Sequence, residues 1–391
     1  MLKTFKTEID PTPEQKVKIR KTIGVCRYVY NFFIAHNKEL YKSGEKFING
    51  KLFSVWLNNE YIPNNPDKLW IKEVSSKAVK KSIENANTAF MRFFDHKTNF
   101  PRFKKKSRSD VKMYFVKNNA GDCRCKRHRI NIPTLKWIRL KEKGYIPTTK
   151  DGYIVRSGNI SIEAGRYYLS ALVDVPETKK EMNSLLNNGI GIDLGVKEFA
   201  TCSNGKIFKN INRSKKIKKL KKKLKREQRC LSRKYEFKKK RGEKTATYYS
   251  ANIEKQKIKI QRIHQRINNI RTDYVNKTIA ELAKNKPAFI TIEDLNVSGM
   301  MKNRHLAKAV QEQKFYEFRT KLMSKCNEFR IELRIVDRFY PSSKTCNCCG
   351  YIKKDLKLSD RTYICPSCGH IKDRDLNAAM NLRDAETYKI A

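Results

Sequence analysis

The segments Thr345-Cys-Asn-Cys-Cys-Gly350, Cys365-Pro-Ser-Cys-Gly369 and Asp373-Arg-Asp-Leu-Asn-Ala-Ala379 place a metal-type cysteine cluster directly ahead of an acidic motif. Cys346 and Cys349 form one C-x-x-C and Cys365 and Cys368 a second, at the spacing of a zinc ribbon. Two such knuckles offer four thiolates to a tetrahedral Zn²⁺ and leave no open coordination position, so the expected role of the ion is structural. Zinc binding in finger peptides is worth about 10–16 kcal/mol, enough to fold a short loop-rich segment with little core of its own. Cys348 lies inside the first knuckle and could replace a neighbour as ligand, although C-x-x-C geometry favours Cys346 and Cys349.

The bulk charge names a partner class. With 87 Lys and Arg against 39 Asp and Glu, the formal charge is +48 over 391 residues, which is self-repulsive unless a polyanion neutralises it. Nucleic acid is the expected polyanion. This length suggests two or three domains, and 39% hydrophobic residues suffice for packed cores, which excludes a disordered basic tail. No apolar run approaches the roughly 18–20 residues that span a bilayer, and the start Met1-Leu-Lys-Thr-Phe-Lys6 lacks the apolar stretch of a signal peptide. The expectation is a cytoplasmic protein with no membrane partner, in which eleven cysteines serve metal sites or buried thiols instead of disulfides.

Along the chain, a short opening strand precedes a helical stretch to about residue 110, punctuated by Pro11 and Pro13 and carrying Tyr28, Tyr30, Phe32 and Phe33. Within it, Ile71, Val74, Ala78, Ile83, Ala86, Phe90 and Phe93 recur at near-helical spacing and read as core. Lys72, Lys77, Lys80 and Lys81 run alongside, and with Lys104 and Lys105 they are the candidate phosphate contacts. From 111 to 186 short β-type runs follow, among them Ile130–Ile132, Trp137–Leu140, Ile160–Ile162 and Tyr167–Val175, which suggest a small barrel or sheet. Cys123, Cys125 and His128 stand at its start, but three ligands without a visible fourth read as incidental thiols in a basic loop.

Gly189-Ile-Gly-Ile-Asp-Leu-Gly-Val196 is an apolar strand that contains Asp193, and a second strand passes through Phe199, Ala200 and Cys202. An acid inside an apolar β-run needs a reason. Metal coordination supplies one, and capping of a turn is the plainer alternative. Residues 212–286 are charged and helical, with Ile253, Ile260, Ile263, Ile267, Ile270 and Tyr274 forming a seam that predicts a two-helix hairpin with an outward basic face. Ala288-Phe-Ile-Thr-Ile-Glu-Asp-Leu295 is a second buried-strand pattern ending in acids. Alternation along a strand allows only one of Glu293 and Asp294 to share a face with Asp193. One helix from Leu306 through Phe329 and a strand at Leu333–Val336 lead into the ribbon.

Asp193, Glu293 and an aspartate of the Asp373–Asp375 motif form a set of three acids. Gathering them meets Coulomb repulsion of about 4 kcal/mol per close pair at an effective dielectric near 20, which divalent cations would remove. Hard oxygen donors suit Mg²⁺ or Mn²⁺, and two such ions can activate a water and stabilise a leaving 3′ oxygen in phosphodiester cleavage.

The strings Gly-Ile-Asp-Leu-Gly-Val, Ile-Glu-Asp-Leu, Pro341-Ser-Ser-Lys-Thr-Cys346 and the ribbon with its trailing Asp-Arg-Asp-Leu-Asn-Ala-Ala resemble the TnpB (OrfB) family of transposon-encoded proteins. Asn99-Phe-Pro-Arg-Phe-Lys-Lys105 and Glu163-Ala-Gly-Arg-Tyr-Tyr168 extend the resemblance over nearly the whole chain. These are RNA-guided DNA endonucleases related to type V CRISPR effectors. The resemblance implies a multidomain α/β protein: a wedge strand at 1–10, a helical recognition lobe at 11–110 and a small wedge β-barrel at 111–186. A RuvC-like RNase H fold with its basic arm would occupy 187–340, the inserted zinc ribbon 341–371, and the last RuvC motif and tail 372–391. It also implies catalytic, Mg²⁺-binding Asp193, Glu293 and Asp375, and a structural Zn²⁺ on Cys346, Cys349, Cys365 and Cys368. The implied partners are a guide RNA from the transposon end, bound by one protein copy, and target double-stranded DNA read through a short adjacent motif. A compact type V effector and an RNA-guided repressor are the alternatives, the latter disfavoured by the intact acids. The absence of His-x-His among six histidines disfavours a tyrosine transposase of the His-hydrophobic-His type.

Overall fold

β1 (Leu2–Asp10) hands the chain to α1 (Pro13–Lys42) through a capping box, in which Thr12 and Gln15 satisfy each other's backbone N–H and Pro13 opens the first turn. The computed structural model describes residues 2–106, 111–176, 189–241, 250–357 and 360–391. Residues 110, 186 and 187, where two of the sequence-based boundaries fall, lie outside them. The chain divides into two compact units, 1–179 and 180–391.

In the first unit α1 is followed by α2 (Gly50–Trp56), α3 (Ile62–Asn64) and α4 (Ser76–Phe94). Ala78 of the predicted stripe is buried, and Ile71, Ile83, Ala86 and Phe90 share a core with Phe33 and Phe53, whose rings meet edge-on at 5.0 Å. The strands β2 (Met113–Val116), β3 (Cys125–Lys126), β4 (Arg129–Ile132), β5 (Lys136–Leu140), β6 (Ile154–Glu163) and β7 (Arg166–Asp174) join β1 in one antiparallel sheet of order β2-β6-β7-β1-β5-β4-β3. The opening strand is therefore central to a sheet whose other members arrive more than a hundred residues later. The Gln15 amide also donates to the carbonyls of Leu135 (2.9 Å) and Trp137 (3.0 Å), fastening α1 to that sheet.

In the second unit β8 (Ile190–Leu194), β9 (Glu198–Cys202) and β10 (Ile207–Lys209) form an antiparallel run. Two long helices, α5 (Lys215–Lys240) and α6 (Ala251–Lys284), pack together as the basic arm. Ile253, Ile263 and Ile267 of the seam are buried. β11 (Phe289–Glu293) then pairs parallel with β8, after which come α7 (Val297–Met300), α8 (Ala307–Gln313), α9 (Phe315–Phe329) and β12 (Glu332–Val336), parallel to β11. The ribbon contributes the hairpin β13 (Thr362–Ile364) and β14 (Ile371–Asp373). α10 (Arg374–Arg383) and the edge strand β15 (Lys389–Ile390) close the unit, whose main sheet runs β10-β9-β8-β11-β12-β15. Buried residues of α6, α8 and α9 make one core with this sheet.

The helix expected from Leu306 through Phe329 is two helices. Lys314 adopts φ 60° between α8 and α9. The break turns Gln313 inward, where its amide donates to the carbonyls of Gly195 (3.2 Å) and Val196 (3.1 Å) just beyond Asp193. Apolar periodicity could not show this, because Val310, Phe315, Phe318 and Leu322 bury on one common core across the break. Among the described residues, no helix is long and apolar enough to cross a membrane.

Candidate functional site

Strand register assembles the acids. Ile192 pairs with Ile292 across the parallel β8–β11 ladder, so the next residues, Asp193 and Glu293, lie level on neighbouring strands and point to the same face. Asp294 follows Glu293 onto the other side. There it is held by two arginines, Arg319 and Arg338, the latter at 3.0 Å.

α10 brings the third acid. Asp373 caps the helix, its Oδ1 accepting from the N–H groups of Asp375 and Leu376 at 3.0 Å each, which engages that carboxylate locally. Asp375, in the first turn, lies within electrostatic reach of Asp193. Burial, then the neighbouring Glu293 and Asp375 carboxylates, push the Asp193 carboxyl up to about 8, with Arg374 opposing. Burial also raises Glu293, against a hydrogen bond donated to its Oε1 by the Ser342 hydroxyl. All three acids keep partial exposure. The donor set is oxygen only and mutually repulsive, which fits a hard divalent cation. The acids are set more widely than the thiols. Among the described residues, Cys346, Cys349, Cys365 and Cys368 form the one group of three or more His, Cys, Asp or Glu whose ligand atoms all lie within 4.8 Å of one another.

The four thiols form a cage. Sγ of Cys346 lies 3.7 Å from Cys368 and that of Cys349 3.6 Å from Cys365, close to the sulfur–sulfur edge of about 3.8 Å implied by a tetrahedron with 2.3 Å Zn–S bonds. Each knuckle closes the same way. Gly350 (φ 73°) and Gly369 (φ 69°) adopt the left-handed conformation that a side chain disfavours, and their N–H groups donate to Cys346 and Cys365. Burial raises the Cys365 thiol, but the N–H groups of Cys368 and Ser367, together with the neighbouring Cys368 and Cys349 thiols, outweigh it and bring it to about 6. Cys348 is exposed and stands outside this group. Cys123 and Cys125 are buried in the sheet core, each raised to about 11 by burial, while His128 is exposed, so the three do not form a site.

The candidate cationic residues separate. Lys81 and Lys104 line one cleft of about 580 Å³ in the first unit, shared with Arg92, Lys112, Tyr30 and Tyr114. The Lys104 ammonium lies 5.1 Å from the Tyr30 ring and that of Lys81 5.8 Å from the Tyr114 ring. Lys72, Lys77, Lys80 and Lys105 are exposed and do not line this cleft.

Residues 170–304 match the family described as "Probable transposase" (OrfB_IS605), residues 315–382 the "Cas12f1-like, TNB domain", and residues 1–46 the "Helix-turn-helix domain" of OrfB_IS605. Over 1–46 the described residues form β1 and the single helix α1. A relative in Escherichia coli K12, "Putative RNA-guided DNA endonuclease InsQ", is 31% identical over 401 residues, covering 97% of this chain and 91% of its own. The chain belongs to the TnpB (OrfB) family. A further family relative, "Putative RNA-guided DNA endonuclease" of Streptomyces pristinaespiralis, is 28% identical over 97% of this chain and 88% of its own. The fold is shared with Cas12f1, solved by cryo-EM in complex with sgRNA and target DNA, at a TM-score of 0.61 and 15% identity, with 100% of this chain and 99% of that one covered.

For this TnpB-family chain, reading the sequence missed Arg92, Lys112 and the tyrosines of the cleft, and three residues hydrogen-bonded beside the acids, Ser342 to Glu293 and Asn377 and Asn381 of α10 to the loop that holds Ser342. A signal existed for the last three. Ser342 lies in Pro341-Ser-Ser-Lys-Thr-Cys346, and the asparagines recur four apart on the small-residue helix.

Proposed function

We propose that this chain is an RNA-guided DNA endonuclease that cleaves double-stranded DNA at a RuvC-type carboxylate site formed by Asp193, Glu293 and Asp375. The observation that carries the reading is the Ile192–Ile292 register, which levels two acids on adjacent parallel strands under a helix bearing the third. The sheet order β10-β9-β8-β11-β12, with its first three strands antiparallel and β11 and β12 parallel to β8, supports an RNase H-like core. Mg²⁺ or Mn²⁺ would be held by these three carboxylates and would supply activation of a water and stabilisation of the leaving 3′ oxygen. The chain's own contribution is to present the acids from rigid elements. Cys346, Cys349, Cys365 and Cys368 would hold a structural Zn²⁺ that folds the ribbon ahead of α10.

The remaining assignments follow the same reading. The helices of 11–110 form a recognition lobe, and the sheet of β1 with 111–186 forms a wedge barrel. The cleft of Lys81, Lys104, Arg92 and Lys112 contacts phosphates, with Lys72, Lys77, Lys80 and Lys105 as outlying contacts. The partners are a guide RNA from the transposon end, one protein copy per RNA, and target duplex DNA with a short adjacent motif, in a prokaryotic cytoplasm. The test is cleavage of a plasmid carrying the guide-matched target by purified protein–RNA complex with Mg²⁺. Cutting that requires RNA and cation and is lost in Asp193→Ala supports the reading. Binding without cutting would favour an RNA-guided repressor.

A further inference from the structure

Glu293 is joined to the helix that carries Asp375 by a pair of hydrogen bonds that the chemistry proposed above does not use. The Ser342 hydroxyl donates to Glu293 Oε1 on β11. The main-chain carbonyl of the same Ser342 accepts from Asn381 Nδ2 at 2.7 Å, and Asn381 belongs to α10, the helix of Asp375. Ser342 and Asn381 are 5% and 4% exposed, so water does not compete for these contacts.

The clamp continues toward the thiol cage. The carbonyl of Thr345, next to Cys346, accepts from Asn381 Nδ2 (2.6 Å) and from Asn377 Nδ2 (2.7 Å), while Asn377 Oδ1 accepts from the Asn347 N–H (3.1 Å). Asn377 is fully buried. An asparagine in a helix interior favours competing local bonds; here both side chains leave the helix and bind the loop 342–347. The Tyr340 hydroxyl adds a bond to the Asn381 carbonyl at 3.2 Å. With this many fixed contacts, the loop has little freedom to shift against α10.

We propose that Ser342 and Asn381 are positioning residues that register Glu293 against Asp375 and so set the divalent-cation affinity of the acid centre. The proposal rests on the acid-centre reading above. Strand β11 and helix α10 meet through this relay: displacing the loop moves Glu293, and displacing the helix moves both Asp375 and the Asn381 amide that holds the Ser342 carbonyl. Partners that orient metal-binding groups in this way typically carry 10–100-fold in metal affinity.

The experiment is Mn²⁺ binding to the purified, RNA-free full-length protein, followed by loss of the free-ion EPR signal, with Asp193→Ala defining the component due to the acid centre. Zinc content and thermal melting are measured in parallel. Ser342→Ala and Asn381→Asp, the second nearly isosteric but lacking both donors, are expected to weaken that component about tenfold or more with zinc retained. Ser342→Thr, which keeps the hydroxyl, restores it. Should Asn381→Asp not fold, Ser342→Ala carries the test, since it removes one oxygen and leaves the backbone bonds in place. Lower melting temperature with unchanged Mn²⁺ affinity in Ser342→Ala overturns the relay and leaves the acid centre standing. Equal Mn²⁺ binding by wild type and Asp193→Ala overturns both.

Discussion

Gly191 of β8 lies against the Ala379 carbonyl of α10 so closely that a Cβ added to the glycine would sit 2.0 Å from that oxygen and 2.4 Å from the Arg383 nitrogen. Strand and helix meet backbone to backbone, two residues before Asp193 and four after Asp375. Neither neighbour is a flexible side-chain end. Gly191→Ala should therefore displace α10, lowering stability by about 1–3 kcal/mol and reducing cleavage more than RNA binding. Chemical denaturation beside a cleavage assay measures both, and an unchanged denaturation midpoint would contradict the contact.

The two aspartates of the last motif should separate cleanly. Asp375→Ala, like Asp193→Ala and Glu293→Ala, should abolish plasmid cleavage while guide RNA and target binding by gel shift stay near wild type. Asp373→Ala should lose an N-cap worth about 1 kcal/mol and keep cutting. Cleavage surviving in Asp375→Ala would move the third role to Asp373.

Burial and the neighbouring carboxylates lift Asp193 to about 8, which sets a pH dependence. In cation-free buffer the folded protein then binds more protons than the unfolded chain between roughly pH 4 and 8, so stability falls as pH rises through that window. Melting temperature measured with EDTA across it should show this slope. Asp193→Asn should flatten it, and Mg²⁺ should offset the loss at the alkaline end.

The ribbon should answer to its thiols individually. Cys365→Ser is expected to lower zinc content by elemental analysis and to melt the ribbon, whereas Cys348→Ser should leave zinc unchanged, because Cys348 stands outside the group of four. Equal zinc loss in both variants would mean that Cys348 is a ligand.

If the cleft of Lys81 and Lys104 binds phosphate, raising salt should weaken target-duplex binding with a log–log slope of about −0.9 per contact. Lys104→Ala should make that slope shallower by about one contact, whereas a slope unchanged by the substitution would leave the residue without a phosphate partner.

Much of this was legible along the chain because it is local. Four cysteines in two C-x-x-C-G turns declare their cage through spacing alone, and the strands carrying Asp193 and Glu293 declare themselves as apolar runs broken by an acid. The helix break at Lys314 was not legible, since apolar periodicity passes straight over it. Nor was the cationic cleft, whose Tyr30 lies far in sequence from Lys104 and Tyr114.

The sequence by itself determined which chemical groups are available: thiolates at zinc spacing, three acids in short strands or at the start of a helix, and a polyanion-seeking charge. Only the tertiary structure decided which groups face one another. Glu293 and not Asp294 lies level with Asp193 because Ile192 pairs with Ile292, and Asp373 is occupied as a cap while Asp375 is not. A slip of one residue in that register would exchange Glu293 for Asp294. Side-chain direction depends on pairing between segments about a hundred residues apart, and no local pattern encodes that pairing.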